Sequence, residues 1–431
     1  MSRILTSLLV LVTLLAAGAA TAQPVTNRSS PDAPELSSPG SFSVGLRSIS
    51  LVPRAQAKPA PSNVIGRRLS AMIWYPAKAR SNGKAVVYRY ALPGEPPRGF
   101  VSFSSKGFAV RGATAIAGRF PLVIVSHGYS NEPEALSWLA ENLASKGYVV
   151  VAIAHHDPDI SNRALASEVM VQRPLDIAFA AQALSQKILA HAPGLASADP
   201  ARTVLIGYSM GGYGVLTAAG AILDPSGGPV ALPPGRPLAA FARGQARAGE
   251  LAVPRVIAVV AISPAGIRLG AWGAQGLAAI TAPLLLIGGS RDTTVGFSDG
   301  IAPVFDQAIH AQRYFLVYQN AGHALGLEQA PDGARSQLWD FQWFEDPVWR
   351  KDRIQGISLH MITAFLDRYA KGDETRAAYL DSDVVLGADG AWPASVTGYG
   401  ALSPGGPGIA WKGFHRNTAY GLELHRRPSA P

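Results

Sequence analysis

The sequence predicts an α/β fold with a mostly parallel central sheet, helices on both faces and antiparallel strands at its N-terminal edge. Between residues 121 and 369, short apolar runs alternate with segments of helical periodicity. These runs are apolar on both faces, as expected for strands that helices cover from both sides. The chain has 431 residues, of which 48% are hydrophobic, so it has enough apolar surface to bury a large core.

The elements follow one another in a regular order. Three N-terminal segments have the composition of edge strands: 43–52, 68–75 and 86–91. The strands of the parallel part are predicted at 121–126, 148–154, 203–208, 256–262, 283–287 and 313–318. The helices are predicted at 134–146, 174–190, 210–219 and 357–369.

Residues 1–22 have the features of a cleaved signal peptide. Arg3 precedes an apolar run over residues 4–20, and Ala-Thr-Ala at 20–22 provides the small residues expected before a cleavage site. A membrane anchor is the alternative, but the run is short and no basic stop-transfer patch follows it. The chain has no cysteine, which excludes a lipoprotein anchor, disulfides and a thiol nucleophile. We therefore expect an exported protein, periplasmic or secreted, without a stable membrane anchor.

The remaining segments are assigned by composition. Residues 23–42, rich in Pro, Ser and Asn, are predicted to form a flexible tether before a folded domain at 43–370. Within this domain, the proline-rich segment 224–254 is interpreted as an inserted cap or loop over the site, with a disordered excursion as the alternative. Residues 371–431 are rich in Gly and Pro and are predicted to be an irregular C-terminal segment.

The net charge of +9 is spread along the chain and does not predict a nucleic-acid partner. The His-His-Asp-Pro-Asp run at 155–159 raises the possibility of a metal site. Adjacent residues at the end of a strand point to opposite faces, however, and no matching group of ligands is evident elsewhere. We interpret this run as a loop that lines an acyl pocket, and we expect neither a metal nor a cofactor. The sequence leaves the oligomeric state open.

A nucleophile elbow is predicted at residues 207–211. An apolar strand leads directly into Gly-Tyr-Ser-Met-Gly, and a helical segment follows. A serine on a sharp strand-to-helix turn has a strained backbone, and small residues two positions before and after it let strand and helix approach. Because Gly207 and Gly211 fill these positions, Ser209 is the candidate catalytic nucleophile.

The acid that orients the base is expected between the nucleophile and the base in the chain. Asp292 follows a predicted strand through Gly-Gly-Ser-Arg, and sites in open α/β sheets form beyond the carboxyl ends of strands. We favour Asp292 over Asp299, which we interpret as a solvated turn carboxylate. Other acids in this interval lie in the predicted insertion or on a helical stretch: Asp224, Glu250 and Asp306.

His323 is the candidate base, because a serine hydroxyl is a poor nucleophile until a base takes its proton. It lies in the loop Asn-Ala-Gly-His-Ala, just after the predicted strand 313–318. The other histidines after the elbow occupy helical positions or the C-terminal segment: His310, His360, His415 and His425.

Two backbone amides are expected to bind the oxyanion that forms during attack. One is that of Met210, directly after the nucleophile, and the other is that of Tyr129, in the loop that follows strand 121–126. Gly128 lets this loop turn. We interpret His127 as bracing the loop by hydrogen bonding and not as a second base.

In these segments the chain resembles the α/β-hydrolases, and within them the dienelactone-hydrolase-like and platelet-activating-factor-acetylhydrolase-like esterases. The resemblance spans roughly residues 65–370 and rests on segments 121–129, 173–177 and 207–212 together with the Asp292 and His323 loops. Arg-Pro-Leu-Asp-Ile at 173–177 is the most particular of these and is similar to the start of a helix in this subgroup. The resemblance implies a nucleophile, acid and base at Ser209, Asp292 and His323, with oxyanion donors at Tyr129 and Met210.

Dienelactone hydrolases proper are smaller cytosolic enzymes with a cysteine nucleophile, so their substrate is not carried over. Secreted polyester hydrolases are similar in the His-Gly-Tyr turn and the Ser-Met-Gly elbow. We expect an exported serine carboxylic-ester hydrolase that acts through an acyl-enzyme on a small-molecule or lipid-like ester. The alternatives are an amidase or acyltransferase with the same triad, a polyester hydrolase, and a binding protein without activity on the same scaffold.

Overall fold

The computed structural model describes eight stretches of the chain: residues 30–51, 68–79, 83–157, 166–185, 194–224, 237–390, 411–415 and 417–431. The predicted signal peptide at 1–22 and the first part of the predicted tether lie outside these residues. Among the helices that are described, none combines the length and the apolar character needed to cross a membrane.

The strands form one mixed sheet, and its centre is parallel as predicted. In chain order the strands are β1 (Ser43–Leu51), β2 (Leu69–Ala77), β3 (Ala85–Pro93), β4 (Phe100–Arg111), β5 (Phe120–Ser126), β6 (Val149–Ala154), β7 (Ala198–Tyr208), β8 (Val256–Ile262), β9 (Leu284–Gly289), β10 (Arg313–Tyr318) and β11 (Leu422–Arg427). Their order across the sheet is β11-β10-β9-β8-β7-β5-β6-β2-β1-β4-β3. The six neighbours from β10 to β6 are parallel to one another.

Helices cover both faces of this sheet, which confirms the predicted α/β architecture. They are α1 (Ser137–Ser145), α2 (Ala166–Ser185), α3 (Met210–Ala218), α4 (Ala274–Ala278), α5 (Ala302–Gln307), α6 (Leu338–Phe344), α7 (Lys351–Lys371) and α8 (Ala377–Leu380). One buried apolar cluster joins the sheet to α1 and α7. A second cluster on the opposite face joins it to α2, α3, α4 and α5.

Strand β4, which the sequence analysis missed, pairs with β3 in an antiparallel hairpin at the sheet edge. Its residues are mostly exposed or half-buried, and it is rich in Ser, with Lys106 and Gly107 in its centre. This composition lowers the strand signal, because serine, lysine and glycine are uncommon in strands. Hydrogen bonding to β3 outweighs this weak local preference. Strand β4 also pairs with β1 in parallel over two residues, so the N-terminal edge is longer than predicted and is not wholly antiparallel.

Helix α2 begins eight residues before the predicted start at Pro174. Proline is expected in the first turn of a helix, because inside it removes a hydrogen bond to the carbonyl four residues earlier. Here Pro174 lies inside the helix, and the carbonyl of Met170 accepts a hydrogen bond from the Tyr213 hydroxyl instead, at 2.7 Å. This bond links α2 to α3. The predicted residues 186–190 lie outside the described part.

The described part of the predicted tether, residues 30–42, packs against the domain. The Leu36 amide donates to Nδ1 of His360 at 3.1 Å, and the Gly40 amide donates to Oγ of Ser145 at 2.8 Å. Polar composition led to the expectation of a flexible segment. Hydrogen bonds to residues more than 100 positions away hold it in place, and local composition does not report such partners.

The predicted irregular C-terminal segment contributes a strand to the sheet. β11 pairs antiparallel with β10 over six residues, from Arg313–Arg427 to Tyr318–Leu422. Its hydrogen bonds therefore cover the edge of β10 that would otherwise be open. The sequence Leu-Glu-Leu-His-Arg-Arg is polar at alternate positions at first, as suits an edge strand, but it is too short to stand out from the surrounding Gly- and Pro-rich residues.

The predicted cap does not lie over the site in its described part, residues 237–254. The Val253 amide donates to the carbonyl of Ala218, at the C-terminal end of α3, at 2.7 Å. Helix α3 runs away from the elbow, and β8 starts at the amino ends of the parallel strands. The connection between α3 and β8 therefore lies at these amino ends, opposite the elbow. The prediction of a cap is wrong for these residues, and residues 225–236 are outside the description.

Candidate active site

Ser209 lies between the end of β7 and the start of α3, as predicted. Its backbone has φ 56° and ψ −116°, a conformation that side-chain-bearing residues rarely adopt. The Ser209 amide donates to the carbonyl of Ile262 at 2.9 Å, and its carbonyl accepts from the amides of Tyr213 and Ala265 at 3.1 and 3.0 Å. Backbone hydrogen bonds to α3, to the end of β8 and to the residues after it thus hold the strained turn in place.

The two glycines of the elbow sit where no side chain fits. A Cβ on Gly207 would lie 2.2 Å from the carbonyl oxygen of Gly211. A Cβ on Gly211 would lie 2.0 Å from the carbonyl oxygen of Ser126, at the end of β5. The physical reason given for the Gly-x-Ser-x-Gly spacing therefore holds here: strand, turn and helix approach within backbone contact distance.

The three predicted triad side chains form one hydrogen-bonded chain. Nε2 of His323 lies 3.0 Å from Oγ of Ser209, and Nδ1 of His323 lies 2.7 Å from Oδ2 of Asp292. The Asp292 side chain is fully buried, whereas that of His323 is 19% exposed. A histidine that is open to solvent on one side and held by a buried carboxylate on the other has the geometry of a general base.

Asp292 is also held from its other side. Its Oδ1 accepts hydrogen bonds from the amides of Thr294 and Val295, both at 3.0 Å. Burial alone would raise the pKa of Asp292, but the hydrogen bond from His323 and those from the two amides lower it. The carboxylate therefore stays ionised and keeps His323 in the tautomer whose Nε2 faces Ser209.

The other candidate acids and histidines lie away from this chain of hydrogen bonds. Asp299 forms an exposed ion pair with Arg268 at 3.2 Å, which agrees with its interpretation as a solvated carboxylate. Nδ1 of His310 contacts the carbonyl of Ala278 at 2.8 Å, and His425 contacts Glu423. The remaining acids contact arginines: Asp224 with Arg243, Glu250 with Arg247 and Asp306 with Arg427.

The predicted oxyanion amides belong to the first residue of α3 and to the loop after β5. Met210 is the first residue of α3, so its amide has no acceptor within the helix. Tyr129 follows β5 in a loop whose Gly128 has no room for a side chain, since a Cβ would lie 2.7 Å from Nδ2 of Asn131. His127 braces this loop, with Nδ1 2.7 Å from the carbonyl of Gly128. Burial and the charge of Arg173 hold the pKa of His127 well below its usual value.

Comparison with known proteins gives the same assignment at the level of the superfamily. Residues 101–224 match a protein family described as PET hydrolase-like. That family belongs to the α/β-hydrolase superfamily, in agreement with the fold and the elbow of this chain. The matched residues include the elbow and both predicted oxyanion amides but end before Asp292 and His323. No curated protein sequence is significantly similar to the chain. The match supports an ester-hydrolase function in general terms.

Three side chains that support the candidate base have no signal in the sequence. The ring of Tyr208, the residue before Ser209, packs at a tilt against that of His323 with centroids 5.3 Å apart, and its hydroxyl donates to the His323 carbonyl at 3.1 Å. Asp346 accepts from the amide of Gly322 at 2.7 Å, and Lys351 donates to the carbonyl of Ala324. The residues on both sides of the base are thus held by buried side chains. No sequence pattern links these positions to the His323 loop.

Two described residues of the run at 155–159 are held by hydrogen bonds within the protein, whereas His156 between them is exposed, and the wall of an acyl pocket stays a prediction. His155 is buried, with Nε2 2.9 Å from Oγ of Ser126 and Nδ1 2.9 Å from Oδ2 of Asp176. Asp157 pairs with Arg173. The described residues contain no group of three or more side chains arranged to hold a metal ion.

A large cavity, about 1230 Å³, lies between the β3–β4 hairpin and α1. Glu132, Trp138 and Glu328 contribute to its lining, whereas none of the five predicted site residues does. The candidate active site and this cavity are therefore separate features of the molecule.

The contact between Gly211 and β5 generates a prediction about stability. We expect Gly211→Ala to lower the free energy of unfolding by about 1–3 kcal/mol or more, because backbone atoms on both sides must shift. Gly249→Ala is the matched control, since a Cβ there meets no atom within 4 Å. Urea unfolding monitored by tryptophan fluorescence measures both changes. Equal stability of the two variants would contradict the close approach.

Proposed function

We propose that the protein is a serine carboxylic-ester hydrolase that works through an acyl-enzyme. The observation that carries this proposal is the pair of hydrogen bonds made by His323, which accepts at Nε2 from the Ser209 hydroxyl at 3.0 Å and donates from Nδ1 to Asp292 at 2.7 Å. The same three residue types, in the same order along the chain, are expected for this fold.

In the acylation step, Nε2 of His323 takes the proton of the Ser209 hydroxyl while its oxygen attacks the ester carbonyl carbon. The carbonyl oxygen becomes an oxyanion and accepts hydrogen bonds from the amides of Tyr129 and Met210. When the tetrahedral intermediate collapses, the bond to the leaving alkoxide breaks and His323 gives its proton to that oxygen. The alcohol leaves and the acyl group remains on Ser209.

Deacylation repeats these steps with water. His323 takes a proton from a water molecule, whose oxygen attacks the acyl carbon. When the second tetrahedral intermediate collapses, the bond from the acyl carbon to Oγ of Ser209 breaks, His323 returns its proton to this oxygen, and the carboxylic acid leaves. Asp292 accepts the Nδ1 hydrogen bond throughout and stabilises the imidazolium that forms in each half-reaction. The reaction needs no cofactor.

Removal of the nucleophile tests the proposal. Ser209→Ala is expected to lower kcat for p-nitrophenyl butyrate by at least about 10⁴-fold, because the attacking atom is lost. The wild-type protein is expected to gain one phosphonyl group per chain from a fluorophosphonate probe, as measured by intact mass, and the variant none.

Ser263→Ala is the matched control. Ser263 is a buried serine just beyond β8, and its hydroxyl has no hydrogen-bond partner among the described residues. We expect this variant to keep wild-type kcat and full labelling. Hydrolysis or labelling that persists in Ser209→Ala would overturn the assignment of the nucleophile.

A polyester is the second candidate substrate, and the match to a PET hydrolase-like family favours it. His323 is partly exposed, and residues 237–254 connect to the amino ends of the strands, opposite the elbow. Both features suit a substrate that is too large to be enclosed. We expect the wild-type protein, but not Ser209→Ala, to release soluble aromatic acids from a poly(ethylene terephthalate) film, measured by liquid chromatography. If a preparation that hydrolyses p-nitrophenyl butyrate releases no aromatic acid from the film, the substrates are restricted to small esters.

We also propose that the enzyme is exported, on the strength of the signal-peptide features of residues 1–22. Expression of the full sequence in a bacterial host is expected to yield a periplasmic or secreted product whose first residue is Gln23. Intact mass after cell fractionation measures this. A product that keeps residues 1–22 in the membrane fraction would favour the membrane anchor instead.

A further inference from the structure

Arg173 is a buried arginine on α2 that lies behind the loop carrying Tyr129. Its residue surface is 0% exposed. Nη1 donates to the carbonyl of His127, and Nη2 donates to the carbonyl of Gly128 at 3.0 Å. One planar guanidinium thus binds two successive carbonyl groups of this loop, which a lysine amine does not match in geometry.

The carbonyl of Gly128 has a second donor. Nε2 of His127 accepts a hydrogen bond from the amide of His155 at 3.1 Å, so its proton is on Nδ1. Nδ1 then donates to the Gly128 carbonyl at 2.7 Å. Two donors on one carbonyl oxygen fix the direction of the peptide group to which it belongs.

That peptide group also contains the amide of Tyr129. In a trans peptide the carbonyl and the N–H point in opposite directions. With the Gly128 carbonyl directed at Arg173 and His127, the Tyr129 N–H is directed away from them. The loop itself lies against the elbow, because a Cβ on Gly211 would come within 2.6 Å of the His127 carbonyl oxygen.

Arg173 is held in place in turn. Asp157 pairs with it through both carboxylate oxygens, with Nε 3.1 Å from Oδ1, and also accepts the amide of Ser130 at 2.9 Å. Burial alone would raise the pKa of Asp157, but the Arg173 charge lowers it, so the pair is ionised. The Tyr213 hydroxyl bond to Met170 ties this part of α2 to the helix that follows Ser209.

A second serine–histidine–aspartate set connects the end of β5 to α2, the helix that carries Arg173. Ser126, His155 and Asp176 are joined by two hydrogen bonds of 2.9 Å, in the same arrangement as the catalytic residues. Ser126 is 0% exposed, so its hydroxyl is inaccessible to substrate and the set is structural. Its effect is to fix the strand end from which the Tyr129 loop departs.

We infer that Arg173 is a positioning residue for ester hydrolysis: through the Gly128 carbonyl it aims the Tyr129 amide at the oxyanion formed on attack by Ser209. The inference rests on the proposed function. Arg173 touches no reacting atom. Its effect is on the transition state, because a preorganised donor stabilises the oxyanion more than it stabilises the ground-state carbonyl.

The first test replaces the guanidinium with groups that cannot bind both carbonyls. Arg173→Lys keeps the charge beside Asp157, and the double variant Arg173→Gln with Asp157→Asn removes both charges of the buried pair. We expect each to lower kcat for p-nitrophenyl butyrate at least about tenfold with KM within about twofold, since one oxyanion donor is misdirected. Assays are run at a temperature at which circular dichroism shows each variant folded.

Arg313→Lys is the matched control. Arg313 is also a buried arginine bound to backbone carbonyls, those of Phe305, Ile309, Ala311 and Pro428, but it lies at the start of β10, away from the carboxyl edge of the sheet. We expect Arg313→Lys to lower the melting temperature as Arg173→Lys does while kcat stays at the wild-type value.

A thionoester of the same acid and alcohol provides a readout that loss of stability does not change. The thiocarbonyl sulfur is a weak hydrogen-bond acceptor. The amides of Tyr129 and Met210 therefore stabilise the transition state of thionoester hydrolysis only slightly. The wild-type protein is expected to prefer the oxygen ester, and the Arg173 variants to lose at least about tenfold of that preference in kcat/KM. Arg313→Lys is expected to keep it.

The outcomes separate this inference from the proposed function. If Ser209→Ala is as active as the wild-type protein, the proposed function fails. If hydrolysis depends on Ser209 but a folded Arg173 variant keeps wild-type kcat and oxygen preference, only the role of Arg173 is overturned. A fall in activity that affects ester and thionoester equally also overturns it, because that result indicates a general structural role.

Discussion

The strained backbone of Ser209 is the constraint on which the rest of the site depends. A turn with φ 56° persists because hydrogen bonds hold its amide and carbonyl from both sides: Ile262 and Ala265 at and beyond the end of β8, and Tyr213 in α3. This requires β7 and β8 to be parallel neighbours, with α3 close enough to β5 to exclude any side chain at Gly211. The conformation of the elbow therefore depends on the whole central sheet. The loops that carry the candidate acid, the candidate base and the oxyanion amides approach the elbow because all of them follow the carboxyl ends of parallel strands.

Much of this arrangement could be predicted from residues near one another in the chain. The apolar runs of β5 to β10 are long enough, and buried enough on both faces, for their periodicity to identify them. The positions of Asp292 and His323 then follow from one rule, that each comes directly after a strand. The structure brings both to Ser209 without any other acid or histidine competing among the described residues.

The rest depends on partners that are distant in sequence. Tyr208 supports His323, and Lys351 and Asp346 hold the residues beside it, across separations that no local pattern records. Arg173 belongs to a motif that is visible in the sequence, but its inferred role depends on the position of α2 behind the loop after β5. The predicted position of the cap is wrong for a topological reason. The length and proline content of residues 224–254 indicate an insertion, but the direction of α3 decides whether it lies at the carboxyl or the amino ends of the strands.

Strand β11 has a consequence for the order in which the site is completed during synthesis. It pairs with β10, the strand that leads into the His323 loop, and the amide of Gln319 just after β10 donates to the carbonyl of Gly421 just before β11. Every residue of the triad precedes β11 in the chain. A nascent chain that already contains Ser209, Asp292 and His323 still has an uncovered strand next to its base. Support of the candidate base by β11 therefore requires residues 422–427, so a chain that ends before β11 lacks the hydrogen bonds that cover β10.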